Sequence, residues 1–463
     1  MRRCLITALL ITLSALLSSC GGGTTMAEGG IGGTGIAMGR VAQVGSVYVN
    51  GYQYNTDAAS FIVNGDSGKT LNDIHVGMVV RVTGSKDPVT ATGTAEVVEY
   101  RSLLAGPIES DIDPISLHRT IMGQQVHINP DTVFENSVPG SSTTLDTLSI
   151  ADLVEVSGFS DGVSGEILAT RIELVRSLSS YRIFGRVAPI DATSFSIGGL
   201  TIELSGQSLP IADSFVEVTS SIPPAGDILI AEQISVVSLD GTVATDGESV
   251  GIEGIIASGL DTATDLFVVN GQTVDASLTG YSGDTTSLAI GRIVEVEGIM
   301  NGSVLLAETI ELEASSTERQ EIAAVLEANS IDTAAGTLTL MGQVIHTNNS
   351  TIYENDIDEH AGFTLADLQA GDYLEAKVYY NSGVLTATKL ELENLRSSST
   401  YNAILEGTPS AIDTSHIEIL NVTIDISGLT GYTFDGTQRI EVRGIYDPGT
   451  QTLDANAWSI AHD

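Results

Sequence analysis

Cysteine is nearly missing from this chain: there are two in 463 residues, Cys4 and Cys20, both near the start. The rest of the sequence therefore has no disulfide framework, no zinc-thiolate site and no cysteine nucleophile. Tryptophan occurs once, as Trp458, and aromatic residues make up only 5%. Basic residues are scarce, with 19 Lys and Arg against 59 Asp and Glu, for a formal net charge of −40. A nucleic-acid surface needs a basic groove and stacking aromatics, so that class of partner is excluded. No run beyond the first twenty residues is apolar enough for a spanning helix. No zincin H-E-x-x-H and no S-x-x-K is found, and no serine is expected to act as a nucleophile. The acids are scattered singly between Val, Ile and Leu, the pattern of folded strands with charged outer faces rather than of a disordered acidic tail.

The first residues set an expected address. Arg2 and Arg3 precede an apolar run from Cys4 to Leu17, the length of a signal-peptide core. The run ends in Leu17-Ser18-Ser19-Cys20, which resembles the lipobox of bacterial lipoproteins. That resemblance implies a signal peptide over 1–19, cleavage before Cys20, and lipid on its thiol and amino terminus, enough for stable membrane anchoring. Gly21 follows the cysteine where an aspartate would favour inner-membrane retention, so the outer membrane is expected, on its periplasmic or outer side. Residues 20–35 then read as a Gly-rich tether.

What the sequence has in abundance is repetition. An apolar-x-apolar stretch recurs six times, as Val80-Arg81-Val82, Val154-Glu155-Val156, Val216-Glu217-Val218, Val294-Glu295-Val296, Leu374-Glu375-Ala376 and Ile440-Glu441-Val442. Each is flanked by alternating strand-like runs and Gly, Asn-Gly or Asp-Gly turns, giving four or five short strands per unit. Long helices are absent; LADLQAGD (365–372) is the best candidate for a short one. A unit of this size buries a core best by curling its sheet closed. The fold expected is all-β: six tandem small OB-like β-barrels over 36–104, 105–179, 180–240, 241–314, 315–397 and 398–463. The best matches are not between neighbours. MGQQVHINPDTVFEN (122–136) and MGQVIHTNNSTIYEN (341–355) are identical at eight of fifteen positions, and IGGLTIELSG (197–206) matches ILNVTIDISG (419–428). A three-barrel block is duplicated, with its seam near LDGTVATDGESVG (239–251).

The stretch GIGGTGIAMGRVAQVGSVYVNGYQYNTDAA (30–59), followed by VGMVVRVTG (76–84), is similar to the start of a bacterial lipoprotein family whose repeated domain has no known function. The resemblance implies tandem small β-barrel domains behind a lipobox and transfers no catalytic residue.

Gly30, Gly32 and Gly35 have G-x-G-x-x-G spacing, but a tether precedes them and a strand follows, so no dinucleotide turn is expected. NGDSGKT (64–70) has too few residues between its glycines for a phosphate loop and reads as a hairpin. His127 and Glu135 recur as His346 and Glu354; a tight turn could bring each pair together as a metal or proton site, although shared ancestry explains the recurrence equally. The column Glu155, Glu217, Glu295, Glu375 and Glu441 is expected on a solvated outer face that discourages strand aggregation. The acidic clusters ESDIDP (109–114) and ENDIDEH (354–360) lack EF-hand spacing and allow weak Ca²⁺ binding at most. No cofactor and no catalytic residue is expected. The leading expectation is a lipid-anchored, non-enzymatic envelope protein, a string of barrels acting as a multivalent scaffold, adhesion or binding module toward envelope proteins or glycans. Next comes capture of divalent cations or cell-surface glycans at barrel faces, and last an enzyme with an inter-barrel site.

Overall fold

The computed structural model describes residues 34–461, apart from 44–45, 114–115, 138–144, 146, 161–164, 238–243, 280–287, 314–318, 358–362, 382, 394–400 and 433–434. The leader, Cys20 and the tether lie outside the described residues. The fold is all-β and built of tandem repeats; the one helical element among the described residues is a 3-10 turn, Leu71–Asp73. No described helix is long and apolar enough to cross a membrane.

The first repeat shows the plan. Its first strand, Thr34–Arg40, is followed by a hairpin of Val47–Val49 and Tyr52–Asn55, by an added short hairpin of Ser60–Val63 and Asp66–Lys69, and by two long strands, Val79–Asp87 and Thr92–Tyr100, called the fourth and fifth of the repeat. The first strand runs antiparallel to the fourth, the fourth antiparallel to the fifth, and the fifth parallel to the third. The hairpin turns on Asn50 and Gly51, both with positive φ (50° and 69°), the geometry of the two-residue turn that matches strand twist. The order recurs behind first strands at Leu104–Pro107, Tyr181–Arg186, Ser249–Asp261, Gln320–Val325 and Ala403–Gly407; these repeats are called units two to six. In unit four the ring closes, because Ser249–Asp261 pairs with both Leu266–Val269 and Ile293–Asn301, making a five-stranded barrel. In unit two a single bridge between Ile108 and Ile121 spans the same gap.

Alternation builds the cores. Val80 and Val82 are buried on the inner face and Arg81 between them is half-buried. The fifth strand also carries a bulge at the same place in several units, with Glu96, Thr170, Glu308 or Asn456 as the extra residue. A glycine of the fourth strand, Gly84, Gly158, Gly298 or Gly444, faces each bulge. At Gly158 a Cβ would stand 2.2 Å from the carbonyl oxygen of Leu168 across the ladder, which only glycine avoids without displacing the strand.

The units do not form an open string, contrary to expectation. Residues 35–38 of unit one pair in parallel with 249–252 of unit four. Residues 104–105 pair with 182–183, joining units two and three, and 321–324 pair with 403–406, joining units five and six. In all three junctions the free edge of a first strand is covered by another first strand, which removes an exposed pairing edge. Units two and three share one apolar core, and units five and six share another. A small apolar cluster of Val79, Phe159, Leu168, Ile255 and Ile293 ties units one, two and four together. The segment 365–372 forms turns rather than a helix. Its Thr364 and Asp367 exchange the same bonds as Thr70 and Asp73, so the local chemistry recurs although the helical turn does not.

Candidate functional site

The scarce cations are spent inside the protein. Arg40, at the end of the first strand of unit one, reaches Glu253 at 3.1 Å and Glu313 at 2.7 Å in unit four, and Asp131 of unit two at 3.9 Å. Arg319, at the start of unit five, reaches the same Asp131 at 2.5 Å and Glu313 at 3.7 Å. Two guanidiniums and three carboxylates from four units thus form one knot, in which all but Glu313 are buried. Burial opposes the charge of Arg40, but Glu313, Glu253 and Asp131 more than offset it, so the guanidinium is held charged. Burial drives Glu253 well above the ordinary carboxylate range, with Arg40 pulling it back and Glu313 pushing it further.

A second motif is duplicated. In unit two, Arg171 lies between Glu135 and Glu173; Glu135 and Glu173 are register partners on parallel strands. In unit five, Lys389 lies between Glu354 and Glu391, again register partners. Where unit two has Ser137 bonded to Glu173, unit five has Asp356 beside Glu391. Burial, then Glu391 and Glu354, push Asp356 up to about 9, so it is the protonated member. Glu391 is also resisted by burial, but Lys389 and Lys377 hold it ionised. The Asp356 carboxyl therefore donates to the Glu391 carboxylate, one proton shared by two acids. These groups border a cleft of about 350 Å³ between units two, five and six, with Asn129, Pro130 and Phe134 on its other wall. The backbone N–H of Phe134 donates to Glu354 at 3.3 Å across it. Ammonium groups already fill the space between the carboxylates, so a cation entering here would have to displace Lys389.

The expected pairs are not brought together. His127 is in register with Leu168 and Glu135 with Glu173 on one strand, a separation of about 16 Å at ~3.3 Å per residue. His346 and Glu354 are spaced the same way, against Thr386 and Glu391. Glu135 instead serves Arg171 and approaches His75 of unit one at 3.8 Å; Glu354 serves Lys389. His127 lies opposite His118 across the hairpin, rings stacked at 4.7 Å and 6°, with Glu166 at 3.9 Å. His118 and Glu166 were not anticipated, although His118 and His127 stand symmetrically about the Met122-Gly123 turn. His346 faces Thr337 and is exposed.

The glutamate column is not a solvated face. Glu155, Glu217, Glu295, Glu375 and Glu441 are all half-buried, and unit one packs onto two of them through Asn64 to Glu155 and Arg101 to Glu217. Several stand directly opposite another glutamate: Glu155 with Glu173, Glu295 with Glu311, Glu375 with Glu391. Such like-charge pairs are unfavourable, and burial followed by Glu297 and Glu311 lifts Glu295 to about 8. Of the acidic clusters, 114 and 358–360 lie outside the described residues; Asp113 organises its own turn through Ser116. One motif escaped the reading of the sequence: GESVG (247–251) is a G-x-S-x-G. Ser249 begins a strand and pairs with Gly35, with no helix after it, so it is not a nucleophile elbow.

A sequence profile of the domain of unknown function DUF5666 matches four times, over residues 38–99, 105–173, 253–311 and 327–391, more than half of the chain. The chain belongs to this family. The four matches fall on units one, two, four and five. No curated protein matches the chain significantly.

Proposed function

We propose that this is a lipid-anchored, non-enzymatic binding module of the cell envelope, built of six OB-like barrels in a duplicated block of three and held to the outer membrane through Cys20. The strand order first-fourth-fifth-third-second supports the OB-like reading, since it is the order of that barrel. The observation that carries the function is where the charges go. Arg40, Arg171, Arg319, Lys377 and Lys389 are consumed in buried or half-buried ion pairs between strands and units. The acids that remain outnumber them on the surface of a chain of net charge −40. Such a surface attracts cationic groups and repels phosphate.

The partner is accordingly a basic surface of another envelope protein, or a glycan presented with bound cations. The test is retention of the full chain on immobilised outer-membrane fractions, peptidoglycan and purified surface glycans at two salt concentrations. Saturable retention that weakens with salt supports the reading. No retention on any surface, or reproducible turnover on hydrolase and glycan arrays, overturns it.

A further inference from the structure

We infer that His118, His127 and Glu166 of unit two form a binding site for a divalent transition-metal ion of the zinc type, distinct from the buried charge networks and independent of the binding-module reading. Two strands and a loop assemble it. His118 and His127 are direct partners at the open end of the hairpin formed by His118–Ile121 and Gln124–His127. Positive φ at Met122 (51°) and Gly123 (70°) makes this a two-residue turn and fixes that register. Glu166 immediately precedes the strand Ile167–Val175, whose Leu168 is in parallel register with His127. One donor atom from each of the three side chains lies within 4.8 Å of the others. A tetrahedral zinc ion with bonds of about 2 Å needs donors about 3.3 Å apart, a difference that side-chain rotation covers.

The hydrogen bonding points to a cation. Nδ1 of His118 is 2.5 Å from the carbonyl oxygen of Ser116. A carbonyl only accepts, so Nδ1 carries the hydrogen and Nε2 of the neutral ring offers a lone pair. That lone pair faces Glu166 Oε1 at 3.0 Å, two acceptors turned toward each other. The contact is attractive only when a positive charge sits on or between them. A ligating histidine with its other nitrogen tied to a backbone carbonyl is the arrangement metal sites use to fix ring and tautomer. The two imidazoles are stacked, with Nε2 of His118 at 3.0 Å and Nδ1 of His127 at 3.9 Å from the same Glu166 oxygen, so a modest turn of one ring out of the stack brings both nitrogens onto an ion beside the carboxylate. All three side chains are half-buried, leaving a side open for water or a ligand. Two imidazoles and one carboxylate suit zinc and its neighbours and not calcium, which takes oxygen donors.

Unit five supplies an internal control. There Thr337 stands in the place of His118, His346 in that of His127, and Val384, two residues before Thr386, in that of Glu166. The same backbone therefore carries a full donor set in one copy and a single histidine in the other.

The experiment is calorimetric titration of the full chain with Zn²⁺ after chelator treatment. One equivalent should bind saturably. His118→Thr copies a residue that the same register position already accepts in unit five, so it preserves the fold while lowering affinity at least tenfold; Glu166→Gln should do likewise. His346→Asn should change nothing. Thr337→His combined with Val384→Glu should add a second equivalent. Unchanged affinity in His118→Thr, or loss of binding in His346→Asn, overturns the proposal, as does only weak unsaturable uptake by the native chain, the mark of an ion pair between His118 and Glu166 set in an acidic surface.

Discussion

Asp131 of unit two and Arg319 of unit five meet at 2.5 Å in the interior, and both are nearly inaccessible to solvent. Thr388 adds a hydrogen bond to the same aspartate at 3.1 Å. Removing one member of a buried pair strands the other charge, so Asp131→Asn should lower the unfolding free energy by about 3 kcal/mol. Lys69, in a half-exposed pair with Asp73 at 3.3 Å, is the comparison, and Lys69→Ala should change stability by no more than about 0.5 kcal/mol. Urea unfolding of both variants checks the contrast.

The same junction sets the shape. Arg40 and Arg319 draw four units onto one aspartate and two glutamates, and three first-strand pairings join the remaining edges. Small-angle scattering should give a radius of gyration near the compact-chain value of ~23 Å for this length. A string of separated barrels would scatter as a much longer particle.

Raised carboxyl groups give a pH dependence with a definite sign. Burial, then neighbouring acids, hold Glu295 at about 8 and Asp356 at about 9; burial holds Glu321 at about 8 against the pull of Lys377. Each binds a proton in the folded state that the unfolded chain releases near ~4.3. Stability should therefore fall as pH rises from about 5 to about 9. Below that window Glu391, held near 2 by Lys389 and Lys377 despite burial, reverses the trend as it protonates. Denaturant midpoints at pH 5.5 and 9 check the slope. Glu295→Gln, which removes the titrating group, should be stabilising, and by about 3 kcal/mol more at pH 9 than at pH 5.5.

The strand pattern, the turns and the duplication are legible in the sequence because period-2 alternation and Asn-Gly turns are local signals. VNG (49–51) forms the hairpin it suggests, and NGDSGKT (64–70) is a hairpin too. What is not legible is which wet-looking face meets another unit. Glu155 and Glu375 read as outer residues, yet both are half-buried, and Asn64 of unit one donates to Glu155. Packing of one repeat on another has no period in the sequence. The candidate site failed for a related reason. His127 and Glu135 are near in sequence, yet both lie along one strand that separates them, whereas Glu166 reaches His127 only through a parallel pairing. His118 was within reach, since a two-residue turn at Met122 and Gly123 places it opposite His127.

The bulge glycines offer the sharpest test of local geometry. A Cβ at Gly158 would lie 2.2 Å from the carbonyl oxygen of Leu168 and 3.1 Å from Cα of Ala169, both on the paired fifth strand. Backbone cannot yield there without breaking the ladder that carries Arg171 and Glu173 to the junction with unit one. Gly158→Ala should therefore destabilise the protein by about 3 kcal/mol. Gly302 has positive φ (61°) but open space around it, so Gly302→Ala should lose only about 1 kcal/mol from backbone strain. Unit five makes the same bulge at Thr388, opposite Lys377 and Val378, without a glycine. If Gly158→Ala proved as mild as Gly302→Ala, unit two would have to relax toward the unit-five form, and the close approach would not be what fixes glycine at this position.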